Sequence, residues 1–390
     1  MAGHTLDDLR AANRRAVTSA LGEVGAMSRA DLARTTGLSA TTVSSLVTAL
    51  IADGIVMETD DRARPHKGGS GRPPVLVALA VRPGQVAGID IGHDYVRVAV
   101  ADRAGTILAE QTAPADIGRH DTTLDQAVSL VEELVSRTGG RVEDLVWAAM
   151  CVPGPIDRRS SRLDGAVLPA WRGSAPGVEM QERLGIPVTF DNDANLGAVA
   201  EHRHGAGEGA SDLIYVHLEG GLGAGLVLAG RLHRGATGIA GEVGHVPVRN
   251  DGLACRCGSR GCLETEVSAP HLLELLRPAY GSDLDVPQVL ELDAAGDPGV
   301  QRVLADAGHT IGRSLAGLCT VLNPDVVVIG GALGLSESLV GGVRTAVDHF
   351  AQPDAAAAVE VRSGLLGNRA LIVGAVALAI ARAEQYPAHV

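Results

Sequence analysis

Hydrophobic residues recur at helical spacing in the first part of the chain. Over 40–52 one face of a predicted helix carries four apolar residues, Val43, Leu46, Val47 and Leu50. The pattern also predicts a longer helix over 6–21 and a shorter one over 29–34, for which Ser28 is a suitable N-cap. The chain therefore starts with three predicted helices.

A tight turn separates the second and third of these helices. Gly37 supplies the turn, and Ser39 caps the helix that follows. A short helix, a glycine-containing turn and a second helix are typical of the helix-turn-helix motif. The start of the second helix usually contacts base edges, so the DNA-binding candidates are Ser39, Thr41, Thr42, Ser44 and Ser45. A three-helix packing or dimerisation module is the alternative interpretation.

Two short strands are predicted after the helices, over 55–58 and 75–79, around a basic and glycine-rich loop. This arrangement predicts a winged helix-turn-helix domain over 1–80. Arg72 lies in that loop between Gly71 and Pro73, as an extended basic arm suited to a narrow minor groove. A plain flexible linker is the alternative for this loop.

The rest of the chain alternates between apolar strands and helices. Strands that end in glycine turns are predicted within 86–100 and at 106–111, 145–151, 188–190, 213–218, 226–228 and 326–329. Helices are predicted over about 123–138 and about 369–384. This order predicts an α/β fold with a site at the strand ends.

The net charge of the chain also changes near residue 80, where the predicted winged helix-turn-helix domain ends. The 390 residues carry a formal net charge of −13, which by itself argues against nucleic acid. Residues 1–80 hold nine basic and eight acidic residues, so their net charge is +1 and the remainder carries −14. DNA contact is therefore expected from the first 80 residues only.

Composition excludes several classes of protein. Apolar residues make up 46% of the chain, which argues against disorder, and the longest strongly apolar run, 371–381, is too short to span a bilayer. The N-terminus is charged and has no apolar segment typical of a signal peptide, so we expect a cytoplasmic protein with no membrane partner.

A histidine and three of the five cysteines lie close together in the sequence, as His245, Cys255, Cys257 and Cys262. Without a secretion signal, this spacing favours zinc over disulfides. Three thiolates and one imidazole complete a tetrahedron, which predicts a structural site. Unligated thiols are the alternative, and Cys151 and Cys319 are expected to fill the core.

Four segments resemble the ROK family, named for repressors, open reading frames and kinases: FDNDAN (190–195), GIAGEVGH (238–245), CRCGSRGCLE (255–264) and LNPDVVVIGG (322–331). The resemblance implies a two-lobed actin-like, ribonuclease-H-like and sugar-kinase-like body after the helix-turn-helix domain. The expected lobes are 81–195, completed by 369–390, and 196–368 with the zinc loop. The last helix is expected to pack on the first lobe.

The resemblance also implies a sugar site. The positions that match the family's sugar-contacting residues are Asn192, Asp193, Glu242, His245 and Glu264. Asp193 is also the position of the catalytic base in the kinases of the family. Val167 stands where many sugar-phosphorylating members have asparagine, which bears on the choice of sugar.

Both phosphate loops depart from those of the family's kinases. The first reads Asp90-Ile91-Gly92-His93-Asp94 where the kinases have Asp-x-Gly-Gly-Thr. The second reads Glu219-Gly220-Gly221 where they have Gly-Thr-Gly. A carboxylate about 4 Å from a phosphate oxygen costs from about 1 kcal/mol in water to about 4 kcal/mol at an effective dielectric constant near 20. We therefore expect no ATP binding and no catalysis.

These inferences predict a sugar-responsive repressor of carbohydrate genes. We expect it to bind double-stranded operator DNA as a homodimer or homotetramer, with an affinity that a sugar in the cleft alters. A glucokinase-like sugar kinase with a DNA-binding appendage is the alternative. A third possibility is a sensor that docks another protein and whose sugar site has lost its use.

Overall fold

The computed structural model describes residues 13–14, 16–18, 20–21, 25–52, 55–62, 75–79, 84–163 and 168–385. The chain divides into two compact units, Met1–Pro83 and Gly84–Val390. The predicted helix over 6–21 lies partly outside the described residues, and those described within it are helical. Arg72 and Val167 also lie outside the described residues.

The described part of the N-terminal unit contains, after the helical residues within 13–21, two further helices and a three-stranded sheet. The helices are α1 (Arg29–Thr36) and α2 (Ala40–Ala52), and the strands are β1 (Met27–Ser28), β2 (Val56–Arg62) and β3 (Val75–Leu79). The antiparallel sheet has the order β1-β3-β2. The structure therefore has the helices and the paired strands of the predicted winged helix-turn-helix.

Local signals in the sequence explain the turn between α1 and α2. The Ser28 side chain accepts a hydrogen bond from the Asp31 backbone N–H at 3.1 Å and so caps α1. Gly37 ends the helix with φ of 70°, a left-handed conformation that favours glycine. The apolar face of α2 is buried through Val43, Val47 and Leu50.

The C-terminal unit contains two five-stranded sheets. The first comprises β4 (Gln85–Ile91), β5 (Tyr95–Asp102), β6 (Ile107–Pro114), β7 (Leu145–Val152) and β10 (Val188–Asn192). The second comprises β11 (Leu213–Leu218), β12 (Leu222–Leu228), β13 (Arg231–His233), β14 (Val326–Gly330) and β15 (Glu360–Ser363). A separate hairpin pairs β8 (Ile156–Asp157) with β9 (Arg162–Leu163).

The two sheets share one topology. Their orders are β6-β5-β4-β7-β10 and β13-β12-β11-β14-β15. In each, three consecutive strands are antiparallel and two later strands add in parallel on the other side of the first. This repetition gives the unit two lobes and confirms the predicted α/β fold class.

Helices flank both sheets. In chain order they are α3 (His120–Arg137), α4 (Pro176–Leu184), α5 (Asp193–His204), α6 (Leu263–Val267), α7 (Ala269–Tyr280), α8 (Val286–Ala294), α9 (Pro298–Leu322), α10 (Glu337–Phe350), α11 (Pro353–Ala358) and α12 (Ala370–Gln385). Helix α12 packs against the first sheet, where Ile372, Ala375 and Val376 share a core with Val86 and Ala149. The end of the chain thus returns to the sheet that starts the unit.

No single helix among the described residues combines the length and hydropathy needed to cross a membrane. The pair α1 and α2 passes that test together, by length and composition only, and is bent by 115° between its helices.

Candidate functional site

A cleft in the C-terminal unit brings together residues that are distant in the sequence. All five positions expected to contact a sugar line it: Asn192, Asp193, Glu242, His245 and Glu264. Parts of both phosphate loops line it as well, namely Gly92, His93, Glu219, Gly220 and Gly221. Several carboxylates and imidazoles therefore face one space in the cleft.

The start of α5 holds two of these side chains. Asn192 ends β10 and caps α5, since its side-chain oxygen accepts from the Asn195 backbone N–H at 3.3 Å. Its amide nitrogen donates to the Gly154 carbonyl at 3.0 Å. Asp193 follows as the first helical residue, and burial raises the pKa of its carboxyl.

An ion pair between the two sheets supports this corner of the cleft. Asp191 is 7% exposed and lies at the end of β10, in the first sheet. It accepts hydrogen bonds from Nε and Nη2 of Arg234, which follows β13 in the second sheet, at 2.8 and 2.5 Å. The pair ties the residues beside Asn192 to the opposite lobe. Neither residue was among the candidates from the sequence.

The two phosphate loops meet through His93. A Cβ added at Gly220 would lie 2.9 Å from Cδ2 of His93, so the imidazole of the first loop packs directly on the second. Glu219 lines the cleft, whereas Asp94 is exposed and is not among the described residues that line it. We therefore correct one step of the sequence argument: of the two loop carboxylates, Glu219 faces the cleft and Asp94 does not.

A buried histidine, His217, lies behind the second loop. Its Nε2 is 3.2 Å from Oε2 of Glu219. Burial disfavours the charged imidazole, but the hydrogen bond to Glu219 and the charges of Asp193 and Glu219 outweigh burial and raise the pKa of His217. The same hydrogen bond lowers the pKa of Glu219. Both shifts favour the charged forms of His217 and Glu219, and so favour an ion pair at this end of the cleft. His217 gave no signal in the sequence because it lies within an apolar strand.

Asp90 lies in β4, deeper than the first loop. It is fully buried and accepts a hydrogen bond from the Tyr95 hydroxyl at 3.1 Å. Burial raises the pKa of Asp90 to about 7, against the opposing charge of Arg97. Its carboxyl is thus partly neutral near pH 7.

The four residues expected to hold a metal come together beside the cleft. Potential ligand atoms of His245, Cys255, Cys257 and Cys262 all lie within 4.8 Å of one another. Cys257 Sγ is 3.7 Å from Cys262 Sγ, and Cys255 Sγ is 3.5 Å from His245 Nδ1. With Zn–S bonds of about 2.3 Å, the S–S edge of a tetrahedron is about 3.8 Å, so these separations fit zinc. All five cysteines are free of disulfides.

Glu264 is the most enclosed of the carboxylates on this side. It lies in α6, two residues after Cys262, and is 8% exposed. Its Oε2 accepts from the Leu222 backbone N–H at 3.1 Å, and its Oε1 is 2.8 Å from Nη2 of Arg256. Arg256 also lines the cleft, although the sequence did not mark it as a candidate.

Comparison with known proteins identifies the family. The ROK family model matches residues 86–382. The chain belongs to the ROK family. It is similar to the xylose repressor of Bacillus subtilis (strain 168), with 28% identity over 355 residues that cover 91% of each protein.

Two solved structures of other ROK proteins share the fold of this chain. A ROK family transcriptional regulator, a homologue of the Escherichia coli protein Mlc, gives a TM-score of 0.78 with 22% identity and covers 94% of this chain and 95% of that one. A ROK glucokinase from Streptomyces griseus, solved with glucose and AMPPNP, gives 0.67 with 28% identity and covers 76% and 99%. These likenesses confirm the two-lobed sugar-kinase-like fold.

The helix-turn-helix candidates of this ROK protein lie together at the start of α2. Ser39, Thr41, Ser44 and Ser45 are exposed there, but Thr42 is half-buried, in contrast to its predicted exposure. Ser39 Oγ accepts from the Thr42 backbone N–H at 3.1 Å and lies 2.8 Å from the Thr42 hydroxyl. The hydroxyl of Thr42 is thus engaged in capping α2, which explains the difference.

Proposed function

We propose that this ROK protein is a sugar-responsive, DNA-binding transcriptional repressor of carbohydrate genes. The observation that carries the proposal is the presence, on one chain, of a helix-turn-helix with exposed hydroxyl side chains and a separate cleft lined by carboxylates and imidazoles. The likeness to a xylose repressor over 91% of both chains supports it, because it extends into the N-terminal unit. Such a regulator acts where its operator DNA is, in the cytoplasm.

The effector of this proposal is a sugar or sugar derivative in the cleft. Sugar hydroxyls both donate and accept hydrogen bonds, and the cleft offers carboxylate acceptors together with amide and imidazole groups. The proposed contacts are Asn192, Asp193, Glu242, His245 and Glu264. Because hexoses and pentoses share this chemistry, D-xylose and D-glucose are the first probes to use.

The proposed metal is a structural zinc ion held by His245, Cys255, Cys257 and Cys262. When bound, it closes the loop that carries these ligands and so fixes one wall of the cleft. All four ligand positions belong to the protein, so we propose no open coordination position and no metal-assisted step. The ion's role is to order Glu264 and His245 beside the effector.

Binding at the two sites is coupled in this proposal. A sugar that binds one conformation of the protein better than another shifts operator affinity, and DNA shifts sugar affinity by the same factor. Such coupling is typically worth about 1–3 kcal/mol. Operators read by helix-turn-helix proteins have two half-sites, so we propose a homodimer or a homotetramer built from dimers.

The decisive experiment measures operator binding directly. Labelled DNA from upstream of the protein's own gene and its neighbours is titrated with protein, with and without D-xylose or D-glucose. We expect a specific complex whose affinity changes at least fivefold with one sugar. Absence of specific DNA binding at low salt would overturn the proposal.

Variants in the N-terminal unit test how the DNA is read. Thr42→Ala and Ser44→Ala should change sequence preference more than salt dependence, because base-edge contacts specify and phosphate contacts position. The exposed position of Ser44 leads us to expect the larger change there. Arg72→Ala should weaken binding mainly at A·T-rich flanks, as expected for an arm in a narrow minor groove. Wild-type binding curves for all three variants on a panel of operators would contradict this docking.

A sugar kinase is the second candidate function, and one observation favours it. Asp193 is half-buried at the start of α5 and partial burial raises the pKa of its carboxyl, as suits a base that takes a proton from a sugar hydroxyl. Against it, His93 packs on Gly220, and Glu219 lines the cleft from the loop in which the kinases of the family have Gly-Thr-Gly. We therefore propose that the protein is not an enzyme and does not use ATP.

A coupled ADP-release assay separates the two functions. We expect no sugar-dependent turnover with D-xylose, D-glucose or amino sugars, because positioning of the phosphates is lost. Asp193→Asn serves as the control variant, since it removes the candidate base and keeps the shape of the side chain. Turnover by the wild-type protein that disappears in this variant would establish the kinase instead.

A further inference from the structure

Arg256 lies at the junction of the metal cluster and the cleft. It stands between Cys255 and Cys257 in the sequence, so two metal ligands flank it directly. Its side chain leaves the loop and lines the cleft. The Nε atom donates to Oε1 of Glu264 at 3.0 Å, and Nη2 lies 2.8 Å from the same oxygen. Loop and carboxylate are thus joined by a charge-assisted contact.

Glu264 is held from the other side by the second sheet. Its Oε2 accepts from the Leu222 backbone N–H at 3.1 Å, at the start of β12. A Cβ added at Gly221 would lie 2.7 Å from that oxygen, so the carboxylate is pressed against the glycine loop. One oxygen therefore depends on Arg256 and the other on Leu222, which leaves the remaining lone pairs in fixed directions.

We propose that Arg256 is a positioning residue, which holds Glu264 in the orientation that accepts hydrogen bonds from the effector and makes that orientation depend on the metal loop. The inference rests on the proposed function in that it takes the effector to be a sugar. Glu264 alone has several rotamers, and the guanidinium fork selects one of them. Removal of the fork leaves a 10%-exposed carboxylate side chain with one partner fewer.

The chain offers a matched control in Arg260. It lies in the same loop and is exposed, and the ion pairs found among the described residues do not include it. Arg260→Ala therefore removes the same charge from the same loop without touching Glu264. Arg256→Lys adds a conservative comparison, because lysine keeps the charge and lacks the planar fork.

The experiment measures D-xylose and D-glucose binding to the zinc-loaded full-length protein by calorimetry. We expect Arg256→Ala to weaken binding by roughly ten- to a hundredfold, the usual effect of losing a residue that orients a side chain in a binding site. Arg256→Lys should fall between this variant and the wild type, and Arg260→Ala should match the wild type within about twofold. Zinc content should stay at one ion per chain in all three, which separates positioning from metal loss.

A second measurement does not need a sugar. The Leu222 amide donates to Glu264, so hydrogen exchange in the segment around Leu222 reports on the orientation of that carboxylate. Exchange should speed up in Arg256→Ala and not in Arg260→Ala. Chelation of zinc should speed it up in the wild type and add little more in Arg256→Ala, since both changes remove the same link.

The outcomes distinguish this inference from the proposed function. If neither sugar binds the wild type but exchange responds to Arg256→Ala alone, the positioning role stands and the proposed effector is wrong. If sugars bind and Arg256→Ala behaves as Arg260→Ala does in both measurements, the positioning role is overturned. Loss of zinc from Arg256→Ala would also overturn it, because Arg256 would then act on the metal and not on Glu264.

Discussion

Replacement of Cys257 with serine should release the metal and with it most of the sugar affinity. Cys257 is an exposed residue, so the change removes almost no buried surface. Any large effect must therefore come from the lost ligand. Structural zinc contributes about 10–16 kcal/mol to the folding of small zinc peptides, and on the proposed ligand set part of that free energy would order the loop here. We expect substoichiometric zinc, a lower thermal midpoint and at least a hundredfold weaker sugar binding, an effect at the upper end for support around a metal site.

A buried cysteine outside the cluster provides the control. Cys319 is fully buried in the core of the second lobe, and Cys319→Ser places a hydroxyl among apolar side chains. This variant should lose stability while it keeps one zinc ion and its sugar affinity. Zinc analysis and sugar titration of both variants check the prediction. Full zinc occupancy in Cys257→Ser, or equal zinc loss in Cys319→Ser, would contradict the proposed ligand set.

Part of the fold followed from local signals in the sequence, which predicted α3 and α12 but not the helices between them. Apolar periodicity placed β7, β11, β14 and α12 within a few residues of their observed ends, because strands buried on both faces leave unbroken apolar runs. Ser28 and Gly37 marked the two ends of α1. A helix cap and a left-handed turn each depend on the identity of one residue, so both can be recognised in the sequence. The order of strands within each sheet came from the structure, because pairing is a tertiary property.

The cleft was only partly predictable. Its five candidate residues came from the family motifs, whereas His217, Arg234 and Arg256 came from the structure alone. Arg234 and Asp191 are 43 residues apart in the sequence, and the periodicity of hydrophobic residues does not predict a contact between them. Asp94 illustrates the opposite error: the sequence suggested a carboxylate facing the phosphates, whereas its side chain is exposed and is not among the described residues that line the cleft.

Glu201 belongs to none of the sequence motifs, but its hydrogen bonds are expected to contribute strongly to the free energy of unfolding. It is a fully buried carboxylate in α5, the helix whose first turn presents Asp193 to the cleft. Its Oε2 accepts from the Ala206 N–H at 2.8 Å and the Leu365 N–H at 3.2 Å. Its Oε1 accepts from the Leu366 N–H at 2.9 Å. One side chain thus joins the end of α5 to the segment that leads into α12.

Glu201→Ala should lower the free energy of unfolding of the C-terminal unit by about 3–5 kcal/mol. The change leaves three backbone N–H groups without their acceptor, and each buried unsatisfied donor costs about 1–3 kcal/mol, partly relieved by water entering the space. Glu201→Gln should cost less, because its carbonyl oxygen can keep the two bonds made by Oε2. Glu208→Ala removes a carboxylate from an exposed position nearby and should change stability by less than about 0.5 kcal/mol.

Urea unfolding, followed by a probe in the C-terminal unit, measures these differences separately from the N-terminal unit. Sugar titration of the same variants then shows whether the hydrogen bonds of Glu201 also position Asp193. We expect Glu201→Ala to bind sugar more weakly even at temperatures where it is fully folded. The C-terminal end of α5 then lacks its hydrogen bonds to the segment that leads into α12. An unfolding midpoint equal to that of Glu208→Ala would show that the three N–H groups find other partners, and that Glu201 does not brace the helix.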